Sequence, residues 1–122
     1  MATALRIAVE QKGIDVMGFD VRKHTDITDF MVVISGTSQR HVIGMVDKIT
    51  EALSQQGLRP TSKNGYDFGD WIVLDYSDFV VHVFNEPIRS YYQIEDLWPL
   101  APQVSLPEEI ENAARRFRTG MR

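Results

Sequence analysis

Cysteine is absent from the 122-residue chain, so neither a disulfide framework nor a thiolate metal site is available to it. Long apolar runs are missing too. The opening stretch, MATALRIAVEQKG, carries Arg6 and Glu10 inside its apolar residues, which excludes a signal-peptide core or a membrane span there and makes a cytoplasmic location the expectation. Basic charge is in short supply: 13 Lys and Arg stand against 17 Asp and Glu, a formal net charge of -4. Such a composition does not neutralise phosphates in bulk, so a basic protein is a better partner than nucleic acid, and no dedicated nucleic-acid site is expected. Repeats and low-complexity tracts are lacking. The length suits one domain with a single core.

What is present reads as alternating helices and strands. Residues 3–11 fit a short amphipathic helix with Leu5, Ala8 and Val9 on one side and Gly13 as its stop. Residues 14–21, IDVMGFDV, fit a strand with Met17, Phe19 and Val21 on one face and Val16, Gly18 and Asp20 on the other. The run 30–35, FMVVIS, is apolar on both faces, as in a strand covered from two sides. After Gly36 the spacing of Val42, Met45, Val46, Ile49 and Leu53 marks a helix capped by Thr37 or Ser38 and ended by Gly57. Strand, turn and helix followed by further strand predicts a crossover, hence a partly parallel sheet. Residues 59–63 can add a short strand. Pro87 and Pro107 each open a predicted helix, the first with Ile88, Tyr91, Tyr92, Glu95 and Trp98 near one side, the second over 107–118.

The stretch that organises the rest is 70–84, DWIVLDYSDFVVHVF. Two alternating apolar runs flank Ser77 and Asp78, which predicts a hairpin with a two-residue loop. Tyr76 then faces Phe79, and the pairs run outward to Trp71 with Phe84. One face collects Ile72, Leu74, Tyr76, Phe79, Val81 and Val83, without a charge, and reads as core. The other collects Trp71, Val73, Asp75, Val80, His82 and Phe84. It is too apolar for bulk solvent and too polar for a sealed interior, so it reads as a partner-binding surface: Trp71, Val73, Val80 and Phe84 for apolar contact, Asp75 and His82 for polar register. The competing account is that a helix of the same chain covers it.

Other constellations are weaker. Gly36, Thr37 and Ser38 lie between strand and helix, where backbone N–H groups favour an anion, yet no Walker lysine or dinucleotide glycine spacing accompanies them. The same order fits a nucleotidyltransferase, but no Asp, apolar, Asp pair follows on a later strand to hold metal, and the carboxylate at comparable distance, Asp47, lies inside the helix. His24, His41 and His82 show no metal spacing, though His41 is placed to approach an anion and His82 to act as a base beside Asp75. Ser35, Ser38 and Ser77 lack the nucleophile-elbow context. Asp67, Asp70, Asp75 and Asp78 read as turn residues. No metal site, cofactor site or catalytic residue is assigned.

Taken in order, IDVMGFDV, the run ITDFMVVISGTSQRHV at 27–42, DWIVLDYSDFVVHVF and the helix with Tyr92, Ile94, Glu95, Leu97 and Trp98 resemble the Iojap, YbeB and RsfS family of ribosomal silencing factors over residues 4–98. Lys63 and Asn64 stand where that family usually has a glutamate before the glycine, and Ser77 replaces its common hairpin glycine. The resemblance implies an α/β fold: a mixed, partly parallel sheet with helices packed on it, of nucleotidyltransferase-like topology without the catalytic site. It implies an RsfS/Iojap-like domain over 1–99 followed by an extension over 100–122. It also implies a non-enzymatic factor that binds ribosomal protein fourteen on the large subunit and blocks subunit joining, so repressing translation, and that often forms a homodimer. A nucleotide-handling enzyme of nucleotidyltransferase-like fold is the alternative.

Overall fold

Alternation of period two and period three to four resolves, among the described residues, into two helices packed on one side of a five-stranded sheet. The computed structural model describes residues 1–88 and 102–103. Its elements are α1 (Ala2–Glu10), β1 (Ile14–Asp20), β2 (Phe30–Gly36), α2 (Gln39–Gln55), β3 (Ser62–Asn64), β4 (Trp71–Asp75) and β5 (Phe79–Asn85). The strands lie in the order β1-β2-β5-β4-β3. Among the described strands β2 and β5 run parallel, and β1 with β2, β3 with β4, and β4 with β5 are antiparallel. The expected crossover is therefore real, but the strand that returns beside β2 is β5, reached after β3 and β4 have been laid down. The fold is mixed α/β, as its sequence pattern predicted.

Helix boundaries follow local chemistry. Ser38 caps α2, its Oγ accepting the His41 backbone N–H at 3.1 Å. At the other end Gly57 takes a left-handed φ of 81°, and the N–H groups of Leu58 and Gly57 bond back to the carbonyls of Leu53 and Ser54, a Schellman closure. α1 closes the same way, except that the left-handed residue is Lys12 (φ 63°) rather than Gly13. Gly13 serves closeness instead: a Cβ there would press on the Ala8 carbonyl oxygen, Ile34 and Met45.

One face of the sheet packs on α1 and α2. Val16, Val32, Ile34, Ile72, Leu74, Tyr76, Phe79, Val81 and Val83 meet Ala4, Leu5, Ala8 and Val9 of α1 and Val42, Met45, Val46, Ile49 and Leu53 of α2 in a continuous core. The predicted charge-free hairpin face is thus entirely core. The predicted strand at 59–63 appears slightly later, as β3, on the sheet edge. At the opposite edge Pro102 and Gln103 lie against β1, the Asp20 N–H donating to the Pro102 carbonyl at 2.9 Å and Gln103 bridging Phe19. The helices predicted after Pro87 and after Pro107 fall outside the described residues beyond Ile88. No helix among the described residues is long and apolar enough to cross a membrane.

Candidate docking face

The hairpin forms with the predicted register, pairing Trp71 with Phe84, Ile72 with Val83, Val73 with His82, Leu74 with Val81 and Asp75 with Val80. Its loop is Ser77 and Asp78. Ser77 has φ 70°, Tyr76 N–H bonds to the Phe79 carbonyl at 3.0 Å, and Asp78 N–H bonds to the Tyr76 carbonyl at 2.9 Å. The last bond closes a tight turn of γ type around a residue with positive φ, which explains why glycine suits this place. Asp75 Oδ1 accepts the Ser77 N–H at 2.8 Å, so its carboxylate holds the turn as well as lying on the outer face.

Since pairing fixes which side chains share a side, Trp71, Val73, Asp75, Val80, His82 and Phe84 all lie opposite the helices. The register extends the rows across the whole sheet. Met17, Val33, His82, Val73 and Asn64 form one row; Phe19, Met31, Val80, Asp75 and Ser62 form the next. Trp71, Val73, Asp75, Val80 and His82 are each half-buried. Phe84 differs, being 0% exposed. It joins Val21, Met31 and Val33 in a second, smaller cluster, against which Phe19, Trp71 and Ile88 pack. Its ring is therefore a support beneath the surface rather than part of the surface, packed with Val21, Met31 and Val33 and stacked under Trp71. The hairpin alone gave no sign of this.

Trp71 rests on that support. Its indole stacks on Phe84 with ring centroids 4.9 Å apart and planes at 25°, an offset aromatic contact. Its Nε1–H donates to His82 Nδ1 at 3.1 Å. Accepting at Nδ1 requires that nitrogen to be unprotonated, so the neutral ring carries its proton on Nε2. Burial pushes the His82 imidazole from 6.5 down to about 4, because the charged form loses hydration that nothing nearby replaces. His82 is thus a neutral acceptor at physiological pH, and a poor general base for want of a nucleophile beside it.

The other sequence candidates are engaged in structural work. His41 Nδ1 accepts the Thr37 N–H at 2.9 Å, and its Nε2 lies 2.6 Å from the Gln11 carbonyl oxygen, so the imidazole bolts the turn before α2 to the end of α1. With Thr37 N–H bonded to His41, His41 N–H to Ser38 Oγ and Val42 N–H to the Ser38 carbonyl, these amides of the glycine turn already have internal acceptors. Asp47 accepts the Tyr66 hydroxyl at 2.8 Å, and Asp70 accepts the Gln39 amide at 2.8 Å. Among the described residues no group of three His, Cys, Asp or Glu is placed to hold a metal ion. Gly65, which its sequence context marks as a turn residue, has φ 84° and turns its hydrogen to the Trp71 carbonyl so closely that a Cβ would collide with it.

Comparison with known proteins agrees with this architecture. The profile of the family described as "Ribosomal silencing factor during starvation" matches residues 1–121. A ribosomal silencing factor from Haemophilus influenzae is 38% identical over 87 residues, covering 71% of this chain and 85% of that one. One from Halalkalibacterium halodurans is 30% identical over 103 residues, covering 84% and 88%. Among solved structures, a Chromobacterium violaceum protein superimposes with a TM-score of 0.77 at 31% identity, covering 84% of this chain and 85% of that one. A Bacillus halodurans protein does so with a TM-score of 0.75 at 28% identity, covering 85% and 94%. With the family profile matching nearly the full length and relatives at 30–38% identity over most of it, the chain belongs to the RsfS family of ribosomal silencing factors.

Proposed function

We propose that this chain is a non-enzymatic ribosomal silencing factor that docks the sheet face opposite α1 and α2 on ribosomal protein fourteen of the large subunit and so obstructs joining of the small subunit. Family membership supports the general role. The observation that carries the docking face is Trp71: a half-buried indole standing on a fully buried phenyl ring, at one end of a hairpin face that also carries Val73, Val80 and Asp75. Large aromatic side chains on firm platforms are the usual anchors of interfaces. Val73 and Val80 extend the apolar surface from the anchor toward the turn, Asp75 offers negative charge to a basic partner, and Phe84 gives stiffness from beneath. A net charge of -4 favours a basic protein over the surrounding RNA phosphates.

Co-sedimentation with isolated large subunits, followed by calorimetry with the purified ribosomal protein, tests this. Trp71→Ala is expected to weaken binding by about 2 kcal/mol or more, roughly thirtyfold, while the chain stays folded. Unchanged affinity in a folded variant rejects the face. A free protein that is dimeric and becomes monomeric on Trp71→Ala, with ribosome binding intact, assigns the face to a second copy instead. Incubation with nucleotides and magnesium tests the enzymatic alternative, for which the internally bonded glycine turn offers little support.

A further inference from the structure

On the half-buried surface the Trp71 Nε1–H donates to His82 Nδ1 at 3.1 Å, a bond within the face itself. Trp71 and His82 are not cross-strand partners: Trp71 faces Phe84 and His82 faces Val73. They are diagonal neighbours, close enough for long side chains to meet. The imidazole lies nearly parallel to Phe84, with centroids 6.2 Å apart and planes at 14°, and at 39° to the indole with centroids 6.1 Å apart. The phenyl ring beneath the indole and the imidazole nitrogen at its polar edge both help to locate it.

We propose that His82 is the positioning residue of the docking face, fixing the Trp71 indole in its binding orientation by accepting the indole N–H at Nδ1 before any partner arrives. This rests on the reading of the face given above and states how that face is prepared. An indole fixed only by stacking can still turn over, since the stack has no polarity that distinguishes one edge of the ring from the other. A hydrogen bond does distinguish them, and an indole N–H usually finds a partner when buried. Immobilising a rotamer-rich side chain during association weakens an interface by up to about tenfold, so a side chain held beforehand retains that factor. Desolvation keeps the His82 ring neutral, which keeps the acceptor lone pair available. The role is one of orientation: Trp71 meets the partner, and His82 acts through Trp71.

Two substitutions separate orientation from direct contact. His82→Phe keeps a flat ring on Phe84 and removes the acceptor. His82→Asn removes the ring and keeps an oxygen near the place of Nδ1. NMR of the full chain reads the first consequence without any partner: solvent exchange of the Trp71 indole N–H is expected to rise about tenfold or more in His82→Phe and to stay near the parent value in His82→Asn. Binding to isolated large ribosomal subunits reads the second, with about tenfold weaker affinity expected for His82→Phe and less than about threefold change for His82→Asn. His82→Leu replaces His82→Phe should the phenyl ring prevent folding. Parent-like affinity in the acceptor-free variant, together with lost binding in Trp71→Ala, overturns the positioning role and leaves the docking face standing. Equal weakening in the Phe and Asn variants also overturns it, by making His82 a direct contact. Unchanged affinity in Trp71→Ala overturns the face and the positioning together.

Discussion

The two faces of the β4–β5 hairpin are built from alternate residues of the same fifteen-residue run, yet they have opposite characters. Ile72, Leu74, Tyr76, Phe79, Val81 and Val83 disappear under two helices. Trp71, Val73, Asp75, Val80 and His82 remain half-buried on the side those helices do not occupy. Both faces carry aromatic rings and valines, so hydrophobicity alone does not separate them. They differ in polar chemistry. The outer face spends its polar atoms on its own organisation, Trp71 bonding to His82 and Asp75 to its turn, which leaves shaped, stiff surface where a loosely ordered one would otherwise stand. A surface prepared this way is suited to binding, whereas the inner face is suited to stability.

Phe84 offers the sharpest way to break that division, because it belongs to the outer face by register and to the interior by burial. Phe84→Ala is expected to cost about 3–5 kcal/mol of folding stability, the range for emptying a buried phenyl site. Chemical denaturation followed by far-ultraviolet circular dichroism checks this against Leu74→Ala on the inner face. Comparable losses place Phe84 with the core. A loss under about 1 kcal/mol, with weakened ribosome binding, returns it to the surface.

The next effect comes from His82. Its folded-state value of about 4 lies below the ordinary 6.5, so the unfolded chain takes up a proton that the folded chain refuses. Above pH 6.5 neither state is protonated and the residue costs nothing; as pH falls from 6.5 toward 4 stability is progressively lost. The gap corresponds to at most about 3 kcal/mol. Denaturation midpoints at pH 7 and pH 4.5, compared between the parent chain and His82→Asn, isolate this from the carboxylates that titrate in both. A steeper fall in the parent is expected. Equal falls would show that the imidazole is better hydrated than its burial implies, and that the outer face is more open than it looks.

How much of this was legible depends on distance along the chain. The hairpin register followed from two polar residues between alternating runs, and the start of α2 from Ser38, because each is a local rule. The Trp71–His82 bond is not read from the sequence, which sets His82 beside Asp75; the structure gives His82 to Trp71, its diagonal neighbour, and Asp75 to the turn. Phe84's full burial was not legible from the hairpin alone, for beyond Trp71 it packs with Val21, Met31 and Val33, more than fifty residues earlier in the chain. The parallel partner of β2 was likewise invisible locally, because β3 and β4 intervene before β5. At the end of α1 a local rule misled: Gly13 was the natural left-handed stop, but Lys12 takes that conformation and Gly13 is needed for close packing.

The smallest effect inverts the comparison between the faces. On the sealed side the Tyr76 hydroxyl is buried with no hydrogen-bond partner among the described residues, although its ring stacks well on Phe79 at 5.0 Å. Desolvation raises its phenol above the ordinary range, which fits a hydroxyl that has given up water without compensation. The ring contributes packing and the oxygen only cost, since an unsatisfied buried donor carries its full desolvation penalty. Tyr76→Phe removes the oxygen and keeps the stack, so it is expected to stabilise the chain by about 1 kcal/mol and leave ribosome binding unchanged. A destabilised variant would mean that the hydroxyl does find a partner in solution, and the contrast between a paired outer face and an unpaired inner one would fail at this residue.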